Sequence, residues 1–241
     1  MDTKSIEEYK KLRIGVDAPF RFHCTQCGKC CINREDILLS ARDLYRIAQK
    51  MNLTPAEVIQ KYGEAYIGNP SRFPIVRLKP IGPLKRCPLL DNNKCVVHDS
   101  KPAVCAMFPI GRMISLTPDG SFGGAAKKRI EYILTDPECG DASETHTVRE
   151  WLGSFGIDLA DAFFLEWSQI LTDSVPILQK LEKDFIKPVM NHLWDAVFLT
   201  LYLNYDTGQD FHPQFQKNVT AIKDLLRKLQ DTDAMKTPSP C

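Results

Sequence analysis

Four cysteines fall within eight residues, Cys24-Thr-Gln-Cys27-Gly-Lys-Cys30-Cys31, and four more follow at Cys87, Cys95, Cys105 and Cys139. Thiolates at this density point to zinc, iron or an iron–sulfur centre. Two residues between cysteines let the backbone curl until both sulfurs reach one centre, and the amides inside the curl can donate to the thiolates. Gly28, directly after Cys27, suits the left-handed conformation such a knuckle often needs. Two cysteines in one knuckle supply half of a tetrahedral zinc site. The overlapping triad Cys24-x2-Cys27-x2-Cys30 can equally hold three corners of a four-iron cluster, with a remote cysteine at the fourth. Cys87-Pro88 is a dipeptide that recurs at such a remote corner. Spacing leaves both readings open.

The second run is Cys87-Pro-Leu-Leu-Asp-Asn-Asn-Lys-Cys95-Val-Val-His98, followed by Cys105. Asp91-Asn92-Asn93-Lys94 is turn-forming, so Cys87 and Cys95 are placed to flank a hairpin and face one centre, which Cys139 would close. Eight thiols suffice for two four-ligand sites, or for one cluster plus a redox pair. Adjacent Cys30 and Cys31 are hard to aim at a single ion from an extended backbone; they suit two centres or one larger cluster. For any single cysteine a buried, inert thiol is the competing reading, but four in eight residues exceed any packing need. His98 makes a plausible ligand pair with Cys95, although the cysteines already suffice. His23 and His146 sit where second-layer hydrogen bonds to ligands would come from. His192 and His212 read as surface or core groups of the helical half. Cys241 ends a loose TPSPC tail and reads as an incidental free thiol.

The chain that positions these residues has 241 residues, enough for one or two domains. Apolar residues make up 44% and charged residues 25%, as in ordinary globular proteins. The net charge of +1 gives no bulk attraction to nucleic acid or to a membrane surface. The first twenty residues hold no signal-peptide core, and no segment has the roughly 18 apolar residues of a membrane span. A cytoplasmic protein is therefore expected, and in a reducing compartment clustered cysteines are ligands or catalytic groups rather than disulfides.

A short helix is predicted at 3–13, then extended APFRF at 18–22. Ser40 with Asp43, Thr54-Pro55 with Glu57, and Thr147 with Glu150 make capping boxes that open helices. Short strands are predicted at 75–79 and 94–98. A hairpin is predicted from Met113 through the PDGS turn, and Cys139 lies in the DPECGD loop. After that loop come four amphipathic stretches: LADAFFLEWSQIL, VPILQKLEKDFI, PVMNHLWDAVFLTLYL and FQKNVTAIKDLLRKL. Pro176, Pro188 and Pro213 sit near their starts. This predicts an α+β protein: an N-terminal helix and irregular cysteine module over 1–142, then a helical region with a loose tail over 143–241.

The run FHCTQCGKCC, continued by LSARDLYRIA, TPAEVIQKY, RCPLLDNNKCVVHDSKPAVCAMFPIGR and DPECGDASETHTVREWL, resembles the YkgJ-type cysteine-cluster family of zinc- or iron-chelating proteins. The likeness spans about residues 20–155. Lys101 and Ala106 stand where arginines are expected, which puts in doubt any role for those arginines and not the ligands. The resemblance implies metal ligation by all eight cysteines. It also extends to the flagellin lysine N-methylases, which implies a four-iron (4Fe-4S) cluster and S-adenosylmethionine as cofactors. No Gly-rich S-adenosylmethionine loop follows a strand here, and Gly123-Gly124 reads as a turn or bulge.

Three functions compete. The first is a metal-binding protein with an iron–sulfur cluster or zinc in a redox, sensing or structural role. The second is an S-adenosylmethionine-dependent protein lysine methyltransferase, for which only the resemblance speaks. Trp151, Phe155, Phe163, Phe164 and Trp167 would line its lysine pocket, but their helical spacing fits core packing better. The third is a partner-docking protein whose zinc only holds the fold. The scattered acidic residues form no hydrolase constellation.

Overall fold

The computed structural model describes residues 9–117 and 127–234. Along the chain run β1 (Arg13–Ile14), β2 (Pro19–His23), a 3-10 turn (Lys29–Cys31), β3 (Leu38–Leu39) and helices Ala41–Met51 and Pro55–Tyr62. Then come β4 (Gly63–Ile67), β5 (Pro74–Leu78), β6 (Leu90–Asp91), β7 (Lys94–Cys95) and the short helix Ala103–Met107. β8 (Ile110–Thr117), β9 (Lys127–Leu134), β10 (Asp141–Thr147) and the helix Val148–Gly153 complete the first two-thirds. The remainder is helical: Ala162–Asp184, Lys187–Phe198 running into a π turn at Leu199–Leu203, and Phe211–Ala234. The fold class is thus α+β. No described helix is long and apolar enough to cross a membrane.

The chain divides into two compact units. One comprises residues 1–34 and 80–165 and contains every clustered cysteine. Its three sheets are all antiparallel: β1-β9-β8, β10-β2 and the small hairpin β6-β7. β2 alternates, turning Phe20 and Phe22 inward while Pro19 and Arg21 face out. Phe20, Phe22, Met107, Ile110, Tyr132 and Trp151 form a core, and Cys24 packs against its edge. Trp151 stands edge-on to Phe22 at 5.5 Å, and its indole N–H donates to the Met107 carbonyl. The Arg112–Asp161 ion pair is nearly buried, and Phe164 lies 3.7 Å from the same guanidinium. Trp151 and Phe164 therefore serve here as packing groups.

The other unit comprises residues 35–79 and 166–241 and holds none of the eight clustered cysteines. Both predicted capping boxes in its first segment are present, at Ser40–Asp43 and Thr54–Glu57. β5 is the middle strand of β3-β5-β4. Leu44, Ile47, Phe73, Leu178, Leu181 and Phe215 are among its fully buried side chains of large volume. Trp194 donates to the Arg72 carbonyl, and Arg72 pairs with Glu182.

Several predicted elements change shape. Residues 9–11 are helical and Arg13 already enters β1, while the rest of the predicted 3–13 helix lies outside the described residues. The strand predicted at 94–98 stops at Cys95, and His98–Ser100 is a 3-10 turn. Pro176 does not start a helix but lies inside Ala162–Asp184. Ile170, Leu178 and Leu181, buried on either side of it, hold one continuous helix despite the missing amide. The PDGS turn, Gly123-Gly124 and Cys241 lie outside the described residues.

Phe22→Ala removes the ring on which the entry to the first cysteine run is built. It is expected to cost about 3–5 kcal/mol in denaturant unfolding, whereas Leu84→Ala, at a side chain 61% exposed, should change stability by no more than about 0.5 kcal/mol.

Candidate metal centre

The first cysteine run leaves β2 at His23 and turns sharply. Gln26 and Gly28 both adopt positive φ, 52° and 74°. The Cys31 amide donates to the Gly28 carbonyl and the Ile32 amide to that of Lys29, which closes a 3-10 turn. Cys30 and Cys31 therefore do not lie on extended backbone. Their sulfurs come to 3.9 Å of each other.

Cys27 is exposed, yet its thiol sits below the usual range. The amide of Lys29 and then that of Gly140 donate to it. Gly140 has φ +72°, and a Cβ there would come within 2.4 Å of the His23 carbonyl oxygen and 2.7 Å of the Phe22 ring. Only glycine allows the Cys139 loop to lie this close to β2. β10 starts at the next residue, and Asp141 pairs with His23 in the ladder.

The second run is docked on the first through main chain. The Cys87 amide donates to the Cys31 carbonyl at 2.8 Å, and the Asn33 amide to the Leu84 carbonyl at 3.0 Å. Asn92 and Asn93 form the two-residue loop between β6 and β7 with φ of 44° and 61°. Those paired positive values mark the type I′ geometry that suits a tight hairpin. Cys95 stands opposite Leu90 in that hairpin, with Cys87 just before it. Cys105 lies in the helix Ala103–Met107.

The uncharged thiols share hydrogen bonds. Cys87 is lowered, first by the hydrogen bond from Cys31 and also by the Leu89 amide. For Cys31 the bond from Cys30 lowers the pKa, but the one given to Cys87 and burial prevail, raising it to about 11. Cys30 is raised strongly, because it donates to Cys31 and is desolvated. Burial raises Cys95, and it raises Cys105 further. Cys139 is pushed to about 11 by burial and then by Cys30, Cys27 and Cys24.

Among the described residues, no group of three or more His, Cys, Asp or Glu side chains is already arranged to hold a metal ion. The donor set nevertheless fits zinc or an iron–sulfur centre. Sulfurs from both runs adjoin, and three of them receive the amide two residues further on: Lys29 to Cys27, Leu89 to Cys87 and Val97 to Cys95. Amide-to-sulfur bonds of this kind stabilise charged thiolates, the form that binds metal.

Two of the histidines lie beside carboxylates. His23 lies 3.4 Å from Asp141 and 3.6 Å from Glu144, and His146 lies 3.2 Å from Glu144. His98 Nε2 is buried without a hydrogen-bond partner, and burial lowers its pKa. Sequence reasoning missed the cations. Lys29 acts on Cys27, Lys101 on Cys30 and Cys95, and Arg34 on Cys105, each favouring the thiolate. It also missed the Gly140 amide. The signal was there in Cys139-Gly140, which repeats the Cys27-Gly28 pattern. A cavity of about 580 Å³ opens beside the thiols, bounded by Lys29, Cys30, Arg34, Phe108, Asp136 and Cys139 among others.

Residues 23–139 match the family model CxxCxxCC, described as "Putative zinc- or iron-chelating domain". No curated protein and no solved structure matches the chain.

Gly140→Ala forces backbone or ring displacement at the junction of Cys139 and β2. It should cost about 1–3 kcal/mol and reduce the metal-to-protein ratio, while Gly153→Ala, with open space at its Cβ, should leave that ratio unchanged. Because Cys31, Cys105 and Cys139 are raised, metal must displace protons from them. Chelator competition should therefore show affinity rising with pH between about 6 and 8.

Proposed function

Starting from a segment, residues 23–139, that belongs to the CxxCxxCC family, we propose that the eight cysteines hold an iron–sulfur centre or zinc in a redox, sensing or structural role. One observation carries this reading. A continuous run of four sulfurs, Cys139, Cys30, Cys31 and Cys87, passes by thiol–thiol contact from the Cys139 loop through the first run to the second. Segments more than fifty residues apart in sequence thus present their thiols to one another. Buried thiols need no such convergence merely to pack. The triad Cys24-x2-Cys27-x2-Cys30 tips the choice towards iron and sulfide, since it matches the three-corner pattern of four-iron sites. The chain's own groups bind and tune the centre. Thiolates ligate; the amides of Lys29, Leu89, Val97 and Gly140 lower the charge density on sulfur; Lys29, Arg34 and Lys101 offset the negative charge that eight thiolates accumulate.

A second reading is an S-adenosylmethionine-dependent enzyme, with protein lysine methylation as its reaction. The cavity beside Cys30 and Cys139 supports it, being of a size that admits a small molecule. Saturable S-adenosylmethionine binding by the metal-loaded protein would favour it, and its absence would leave the first reading alone.

Anaerobic purification with iron, zinc and inorganic sulfide measured on one sample tests the main proposal. Iron with sulfide and a broad absorption band near ~400 nm is expected; zinc without colour would replace the iron–sulfur centre by a structural or sensing site. Cys27→Ser should lose bound metal, and Cys241→Ser should not. A Cys27→Ser protein with full metal content would remove the first run from the centre.

A further inference from the structure

The eight thiols are not evenly distributed. Cys30 and Cys31 stand side by side, and the other six divide around them. Cys139 contacts Cys30, and its other thiol neighbours are Cys27 and Cys24. Cys27 accepts the amide of Gly140, the residue after Cys139. The His23–Asp141 pairing of β2 with β10 brings together the chain just before Cys24 and just after Cys139. On the other side, Cys31 contacts Cys87 through both thiol and main chain. Cys87 in turn has Cys105 and Cys95 as thiol neighbours. For Cys105 the first thiol neighbour is Cys31. Cys30 also acts on Cys105, after Cys31, and on Cys95; Cys95 in turn acts on Cys31 and Cys87, which ties it to the second group.

We propose that the chain holds two four-cysteine metal sites joined at the Cys30–Cys31 dipeptide: Cys24, Cys27, Cys30 and Cys139 in one, and Cys31, Cys87, Cys95 and Cys105 in the other. This rests on the metal-binding reading above and goes on to assign each cysteine. The 3-10 turn is what permits the division. Consecutive side chains leave such a turn about 120° apart around its axis, so neighbouring cysteines diverge towards different partners. Each group also has its own preformed anchor. Cys27 receives the amides of Lys29 and Gly140 in the first, and Cys87 and Cys95 receive those of Leu89 and Val97 in the second. Each group draws on both near and remote sequence. The first closes a loop from Cys30 to Cys139, the second a loop from Cys31 to Cys105.

The full chain loaded with cadmium tests the assignment directly, by NMR that correlates each bound cadmium through sulfur to cysteine β-protons. Two cadmium signals are expected, each connected to the four cysteines named. A single signal, or one that joins Cys24, Cys27 or Cys139 to Cys87, Cys95 or Cys105, would overturn the division and leave metal binding intact. No cadmium uptake at all would overturn the metal-binding reading on which the division rests. Serine variants give an independent readout on the protein as purified. Cys24→Ser and Cys139→Ser should each lose about half of the bound metal and the double variant no more, while Cys24→Ser with Cys95→Ser should lose nearly all. Loss of all metal from each single variant that keeps its helical circular dichroism would mean one cooperative centre, and would also overturn the division.

Discussion

Among the described glycines of the cysteine unit, Gly140 leaves the least room for a side chain, and the placing of Cys139 beside the first cysteine run hangs on it. The glycine lies beneath the His23 carbonyl and against the Phe22 ring, where a methyl group has no room. From that position its amide reaches Cys27, and the chain turns directly into β10. A residue that could not adopt φ +72° would push the Cys139 loop off the strand. Cys139 would then part from Cys30 and Cys27, and one of the three segments that supply thiols would be lost. The aromatic packing of Phe22 on Trp151 and Phe108 fixes the strand against which the glycine rests. A hydrophobic core thus sets the position of a polar centre through one backbone contact.

Opposed electrostatic effects meet at the sulfurs. Burial and mutual contact hold most of the thiols protonated, which keeps several negative charges from crowding one place. Amides and cations favour the thiolate at chosen points, most clearly at Cys27 and Cys87, both of which are lowered. Those two sulfurs are the ones whose surroundings most favour the thiolate. The charge of a bound cation would draw protons off the neighbours, since a nearby positive ion reverses the balance that raises their pKa values. Metal loading at these thiols would thereby be coupled to proton release.

Much of this was legible in the sequence because it rests on local rules. The capping boxes at Ser40, Thr54 and Thr147 need only the cap and the third residue beyond it, and all three formed. Gly28 was readable as left-handed for the same reason. The Asn92-Asn93 turn was readable because asparagine tolerates positive φ. What escaped was non-local. Cys139-Gly140 repeats the local pattern of Cys27-Gly28, but the pattern does not say that its amide will meet a cysteine more than a hundred residues earlier. Pro176 shows the reverse failure. A local rule says that proline opens helices, yet the apolar stripe on both sides of it carries one helix through. Adjacent Cys30 and Cys31 seemed awkward for metal only while their backbone was assumed extended. The 3-10 turn removes that objection and depends on Gly28, which the sequence already offered.

The two units differ in what they ask of a metal. Residues 35–79 and 166–241 bury Leu44, Ile47, Phe73, Leu178 and Phe215 and none of the eight clustered cysteines. Apolar burial at roughly 25 cal/mol per Å² stabilises such a unit without a ligand. The cysteine unit has an aromatic core of its own, and Cys24 packs against its edge. No side chain of Cys27–Cys31 or of the Leu90–Cys95 hairpin is buried, although Leu89 and Val97 on either side of the hairpin are. These segments are held by turns, amide bonds, contacts between thiols and the buried Leu89 and Val97 that flank the hairpin. Weak hydrogen bonds between sulfurs cannot fix three separate segments as thiolate–metal bonds can. Thiolate–metal bonds at these cysteines would add order to the loops against a frame of strands and aromatic side chains, and the effect of losing such a metal should be greatest in those loops.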